Sequence, residues 1–286
     1  MDTKIIVNHA LRALLYEVTV NPKPGLVDPL SAGPHPDMNA FMFIDSALSL
    51  APYFNACAAA GVAYTAVDLT GLFKQIRGIG VQAEQTMFAA TKGVNTHKGA
   101  VFSLGVLVTA AAYQLQHPDV DLATIVRTML AGLTANDFND LNTKDPTTLT
   151  AGERQYLTYG IKGIRGEAEA GYPTVMQVAL PALRRSRGTI NQRLLDTLMA
   201  IVQATVDTNL VKRAHDPHVI DWVHDQAHRY FDLGGSRSEA GMAFLRELNQ
   251  IFVDHNYSLG GSADLLILTI FIGFQTDILA PQLSNQ

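Results

Sequence analysis

The sequence predicts an all-α protein, a single multi-helix domain of about ten or eleven helices with two long functional loops, spanning residues 1–286. Three observations carry that prediction. Apolar residues recur at spacings of three and four along nearly the whole chain. No strong run of strict alternation competes with them. Hydrophobic residues make up 48% of the chain and charged ones only 16%, so most helices must be buried on more than one face.

Each element follows from local pattern. The first helix covers 3–20, through "TKIIVNHALRALLYEV". Prolines and glycines then crowd "NPKPGLVDPLSAGPHPDM" more densely than either regular element tolerates, which makes it the first long loop. Helices are expected over 38–59, 62–75, 78–92, 97–116 and 119–132, the fourth of them carrying the apolar run "AVFSLGVLVTAAAYQL". A second polar, glycine-containing excursion runs through "DFNDLNTKDPTTLTAGERQYLTYGIKGIRGEAEAGYPT", with a short helix around 151–158. Loops of this length in a compact domain are usually functional or disordered, and Tyr156, Tyr159, Ile161, Ile164 and Tyr172 supply packing anchors against disorder. The remaining helices are expected over 174–185, 190–213, 217–231, 237–254 and 262–278.

Composition excludes several functional classes. A formal charge of −5 gives no general attraction to nucleic acid or to an acidic membrane. Cys57 is the only cysteine, so neither an internal disulfide nor a thiolate cluster can form, and it reads as a small buried hydrophobe. The N-terminal segment lacks the pattern of a signal peptide, and "ADLLILTIFIGF" is too short to cross a bilayer. A cytoplasmic protein is the expectation, and its apolar helix faces permit a homodimer.

The chemistry-bearing residues sit beside glycines and helix starts. "GVNTHKGA" places His97 and Lys98 where a helix already carries partial positive charge, so a protein carboxylate or an anionic ligand must offset the lysine. Glu84 has Val81, Met87 and Phe88 on its helical face, and a carboxylate turned toward apolar packing must be paired, protonated or metal-bound. "SLGGSADLLILTIF" offers Gly260 and Gly261 as a turn, Ser262 as N-cap and Asp264 in the first turn; a phosphate there requires an intervening cation. Asp196, Gln203 and Asp207 fall on one stripe of the helix expected over 190–213, with Asn209 and Arg213 on other sides. Lys23, Lys98, Lys162 and Arg165 all neighbour glycines, where backbone can approach a phosphate closely. Neither a Walker loop nor a dinucleotide fingerprint is present. His35, His97 and His215 are scattered and make no H-E-x-x-H pattern, so any metal is a hard, carboxylate-bound ion such as Mg²⁺ rather than zinc. The residues alone also fit a Mg²⁺-dependent hydrolase of nucleotide ribosides or phosphoanhydrides. A non-catalytic helical adaptor would not need two such loops.

Five motifs, "EVTVNPKPGLVDPLSAGPHPDM", "GVNTHKGAVFSLGVL", "YGIKGIRGEAEAGYPTV", "DTNLVKR" and "GGSADLL", stand in the order found in triphosphoribosyl-dephospho-coenzyme A synthases, and the resemblance runs from about residue 9 to 275. It implies an all-helical enzyme that transfers the 5-triphosphoribosyl group of ATP to the 2'-hydroxyl of 3'-dephospho-coenzyme A, releasing adenine, with Mg²⁺. The product of such enzymes is the precursor of the prosthetic group of citrate lyase or malonate decarboxylase, passed on to a holo-acyl-carrier-protein synthase. By motif position, Asp28, Glu84, Asp207 and Asp264 are expected around the metal. Lys23, His97, Lys98, Lys162, Arg165, Arg213, Gly260, Gly261 and Ser262 are expected to bind nucleotide. Glu84, Asp207, Glu167 and His35 are the candidates for proton transfer. Two departures stand out: Leu259 where the family usually has proline before the glycine pair, and Ala214 and His215 where it tends toward glycines.

Overall fold

The computed structural model describes residues 2–145 and 147–279. Among them there is no strand, and the helices are α1 (Thr3–Thr19), α2 (Ala40–Ser49), α3 (Ala51–Ala63), α4 (Thr70–Ala90), α5 (Lys98–Gln114), α6 (Leu122–Met129), α7 (Leu133–Phe138), α8 (Ala151–Tyr159), α9 (Gly163–Glu169), α10 (Leu180–Arg185), α11 (Ile190–Val202), α12 (Thr208–Ala214), α13 (Val219–Asp232), α14 (Glu239–Asp254) and α15 (Gly260–Gln275). A π-helical stretch, Thr174–Ala179, leads into α10, and short 3-10 turns occupy Leu141–Thr143 and Gly235–Arg237. The all-α expectation holds, with more helices than the apolar period alone suggested. None of the described helices is long and apolar enough to cross a membrane.

Caps and breakers account for the extra divisions. The helix expected over 38–59 is two helices, because Pro52 enters the first turn of α3 and Leu50 is the junction. The two expected over 62–75 and 78–92 are one continuous α4 that starts later. The helix expected over 119–132 is shorter, α6 ending at Met129, and Gly132, with a positive φ of 78°, is the N-cap of α7 beyond it. The segment 190–213 breaks after Val202, and Asp207 is not on a helical stripe with Asp196: it is the N-cap of α12, accepting from Asn209 and Leu210 amides. The second expected loop holds the short helix expected around 151–158 as α8, started by a capping box of Thr150 and Glu153, and one more helix, α9, that was not expected. The first loop remains irregular. Asn191 holds its start by accepting from the Asn21 amide at 2.9 Å and donating to the Asn21 carbonyl at 2.6 Å.

The core is built on α5 and α15, both buried along nearly their whole length. The two pack on each other; α1, α11 and the π-helical stretch also pack on α15, and α3, α4 and α6 pack on α5. Cys57 lies within this core, fully buried, and burial pushes its thiol up to about 11, as befits an inert packing residue. Helices α3 and α5 meet at small residues. A Cβ on Gly61 would overlap the Thr109 carbonyl oxygen and stand 2.9 Å from the Ala112 Cβ, and one on Gly105 would overlap the Tyr53 hydroxyl. Gly61→Ala is therefore expected to lower stability by about 1–3 kcal/mol through overpacking, net of the gain of up to ~1 kcal/mol in helix propensity. The urea midpoint of the variant measures it; an unchanged or raised midpoint would show that this crossing yields freely.

Candidate functional site

A cleft of about 1020 Å³ opens where the starts of α5, α8, α9, α12 and α15 converge. Lys98 and Gly99, Ala151 and Gly152, Gly163 and Ile164, Thr208 and Asn209, and Gly260 and Gly261 line it, each pair belonging to the first turn of its helix. The partial positive end of each helix dipole thus lies at one space, although the first-turn amides of α12 and α15 are capped by Asp207 and the Lys98 amide of α5 by Asn95. Its charged walls are balanced: Lys98, Lys162, Arg165, Lys212 and Arg213 oppose Glu17, Glu84, Glu167, Asp207 and Asp264.

Asp207 and Asp264 form the acidic floor. Asp207 is buried and saturated with donors: the Gly261 amide at 3.3 Å, the Ser262 amide at 2.7 Å and hydroxyl at 2.8 Å, and the Asn209 and Leu210 amides. This acceptor from a distant segment changes the start of α15. Leu259, not Ser262, is its N-cap residue, and Ser262 lies inside the first turn with its donors spent on Asp207. Gly261 has no room for a larger residue without pressing on Asp207, since its Cβ would stand 3.1 Å from Oδ1. Burial pushes the Asp207 carboxyl above the usual range although the Ser262, Leu210 and Asn209 donors pull it down. Asp264 makes no hydrogen bond with any described residue and lies where a Cβ on Gly99 would overlap its carboxylate. Burial holds its carboxyl well above the usual range, and the neighbouring Asp207 and Glu17 carboxylates add to that.

The lysine at the start of α5 has its counter-charge in the protein. Glu84 Oε2 lies 3.2 Å from Lys98 Nζ, with the two side chains 29% and 54% exposed, so Glu84 is not buried among apolar neighbours as its sequence context suggested. The outward turn of its face is plain at Val81, which is exposed. Arg165 sits over the Phe102 ring at 4.4 Å and pairs with Asp137 at 3.4 Å. Lys162 donates to Thr134 Oγ1 at 3.3 Å, and Glu167 accepts from the Thr174 hydroxyl at 2.6 Å.

Two histidines reach the cleft as neutral rings. His97 is 2% exposed, bonded through Nδ1 to Ser46 Oγ at 2.7 Å, and burial followed by the Lys23 charge pushes it down to about 3. His35 Nδ1 accepts from Arg213 at 3.1 Å, so its proton is on Nε2, 3.2 Å from Ser258 Oγ. Burial, then Arg213, lowers its basicity. Arg213 also donates to the Pro34 carbonyl at 3.2 Å and to Asn256 Oδ1 at 2.6 Å, which ties the first loop to the far end of α12.

Lys23 and Asp28 stand apart from the cleft lining. Lys23 is buried, with its ammonium bonded to the Glu17 carboxylate and, at 2.7 Å, to the Glu17 carbonyl. Asp28 accepts from the amides of Lys23 at 3.1 Å, Leu30 at 2.8 Å and Ser31 at 2.9 Å, and so shapes the first loop. Glu17 and Gln155 line the cleft but escaped the sequence reading. A carboxylate amid Leu14, Leu15, Val18 and Val20 was a usable signal for Glu17; Gln155 gave none. Among the described residues no three His, Cys, Asp or Glu side chains gather as a preformed metal cage.

A family model described as CitG: ATP:dephospho-CoA triphosphoribosyl transferase matches residues 3–280. The chain belongs to this family. Membership makes it an enzyme of that general transferase class. It is 49% identical over 276 residues to protein CitXG of Leuconostoc mesenteroides subsp. cremoris, covering 95% of this chain and 59% of that protein's length. It is 40% identical over 285 residues to a probable 2-(5''-triphosphoribosyl)-3'-dephosphocoenzyme-A synthase of Streptococcus equi subsp. equi (strain 4047), covering 93% of this chain and 94% of that one. A protein of the same description from Streptococcus pyogenes serotype M2 (strain MGAS10270) is 39% identical over 290 residues, covering 94% and 96%. No solved structure matches the chain. Of the residues expected to depart from the family pattern, Leu259 is fully buried at the start of α15, and His215 takes the left-handed φ of 55° that favours glycine.

Proposed function

We propose that the cleft transfers the 5-triphosphoribosyl group of ATP to the 2'-hydroxyl of 3'-dephospho-coenzyme A and releases adenine. The observation that carries this reading is the convergence of five helix starts, with lysines and arginines between them, on one cleft within a chain of the CitG family. That arrangement suits a polyanion that must stay whole, as the triphosphate does when the bond from C1' to the base is the one broken.

The charge count governs the cofactor. Five cationic side chains face five carboxylates in the lining, of which Glu17 is already paired with Lys23, and that small surplus falls short of a triphosphate of about four negative charges. The donor set fits Mg²⁺ carried in with nucleotide, which needs only one or two carboxylates besides phosphate and water. Asp264, with no hydrogen-bond partner among the described residues, and Glu84 would hold it; the oxygens of Asp207 are already taken. When bound, the ion supplies charge compensation for the triphosphate.

The remaining steps belong to the protein's own groups. Lys98, Lys162, Arg165 and Lys212 would hold phosphate oxygens. The 2'-hydroxyl attacks C1' as the bond to adenine breaks, an inverting single displacement through an oxocarbenium-like state; a cleft carboxylate takes the hydroxyl proton, and adenine leaves with the bonding pair and takes up a proton to become neutral. Glu84 and Glu167 keep lone pairs for that role; such assistance is worth ~10²–10⁴ in rate. His35, with both nitrogens engaged, would instead hold Arg213 in place.

Mass spectrometry after incubation with Mg-ATP and 3'-dephospho-coenzyme A tests the reading. Adenine and the triphosphoribosyl adduct are expected together, in equal amounts. Adenine formed at full rate without the acceptor would replace transfer by hydrolysis, and neither product would end the proposal. The product would then pass to a holo-acyl-carrier-protein synthase.

A further inference from the structure

Among the described residues, the buried side-chain polar atoms without a hydrogen-bond partner belong to His9, His97, Ser103, Gln155 and Gln275. Only His97 and Gln155 line the cleft. An orphaned buried polar atom in a folded protein calls for a partner, because leaving it unpaired costs about 1–3 kcal/mol. The free atom of His97 is a donor or an acceptor according to how the Ser46 and Thr96 hydroxyls turn, so its partner is undetermined by chemistry. Gln155 has no such freedom. Its Nε2 donates to the Thr208 carbonyl at 2.7 Å, which fixes the amide orientation and leaves Oε1 as a pure acceptor.

The surroundings narrow what can meet that acceptor. Gln155 is 7% exposed and lies on α8, tied to the first residue of α12, with apolar Ile161, Ile164 and Val206 lining the cleft from the adjoining segments. The nearby cation has its own contact, since Lys162 donates to Thr134. A ligand amide would need the second Nε2 hydrogen of Gln155 as well as Oε1, whereas the unmet group here is the acceptor alone. An exocyclic amine on an aromatic ring asks only for acceptors and brings a flat apolar body.

We propose that Gln155 Oε1 accepts a hydrogen bond from the exocyclic amine of a 6-aminopurine held in the cleft, and so makes the enzyme specific for adenine nucleotides. This rests on the transfer reading, in which both substrates carry that ring: the adenine of ATP, which leaves, and the adenine of dephospho-coenzyme A, which stays. Gln155 is a specificity-determining residue under either source.

The test compares each substrate with its counterpart bearing hydrogen in place of the 6-amino group. The parent enzyme is expected to prefer the amine by about a hundredfold or more in kcat/KM at one of the two nucleotides, because a site built to pair a polar group rejects the analogue that lacks it. In Gln155→Met that preference should collapse to within about threefold at the same nucleotide, and the other nucleotide should keep its parental ratio. Which ratio collapses identifies the source. A ratio of this kind is internal to each variant, so a merely structural weakening at Thr208 would not move it. No preference in the parent at either position, or parental ratios at both in Gln155→Met, overturns the proposal. Should the parent form no adduct, the transfer reading falls on its own, and calorimetric affinities for ATP and for its 6-hydrogen counterpart decide Gln155 by the same ratio.

Discussion

Replacing Lys23 with methionine is expected to destabilise the protein by roughly 3–5 kcal/mol, the range found when one member of a buried ion pair is removed and its partner stranded. Lys23 is 1% exposed and Glu17 3%, so the carboxylate left behind stays almost wholly out of solvent at the edge of the cleft. The double variant Lys23→Met/Glu17→Gln should recover most of the loss, because the second change removes the stranded charge. Urea denaturation of the two variants and the parent reads both numbers. Motif position placed Lys23 among the phosphate-binding residues. A lysine with that role would leave the midpoint nearly parental and raise the KM for ATP, and this outcome would move it back to the cleft.

Asp264→Asn is expected to lower turnover by about a hundredfold or more while making the protein more stable near neutral pH. The activity loss follows if this unpartnered carboxylate is where the charge of the cation and phosphates is met. The stability gain follows from the raised carboxyl. For a group whose folded-state pKa lies above its unfolded value, the contribution to stability is complete below the unfolded value, 3.8 for an aspartate, and is lost as pH rises through the raised one. The parent should therefore weaken relative to the asparagine variant as pH climbs out of the acid range, and the two should converge at acid pH. Thermal midpoints of both proteins without nucleotide or Mg²⁺, measured from about pH 4 to about pH 8, give the comparison. Parallel curves would show that Asp264 pays nothing for its charge.

The long apolar helices α5 and α15 were legible from sequence because being buried on all faces leaves a continuous apolar run. Their starts were only partly so. The lysine in the first turn of α5 announced a missing negative partner, yet Glu84 could not be matched to Lys98 from spacing, and its half-exposed setting depended on how α4 lies against α5. Ser262 looked like an N-cap by every local rule. It is not one, because Asp207 reaches across from another segment and accepts from the amides that a local cap would have satisfied. The same event hid the break before α12, since Asp207 reads equally well as a member of a helical stripe or as a cap. The glycines of "YGIKGIRGEAEAG" suggested a loop, but α9 forms there under tertiary packing. What the motifs did convey was convergence: Glu84, Lys98, Arg165, Asp207 and Asp264 all line one cleft.

The five helix starts come from residues 98, 151, 163, 208 and 260, so no stretch of neighbouring sequence contains the cleft. A nucleotide seated there would clamp the beginning and the end of the chain in a single act. Its affinity should appear in full as added resistance to global unfolding, growing with the logarithm of ligand concentration, and proteolytic fragments that lack either end should show none of that protection.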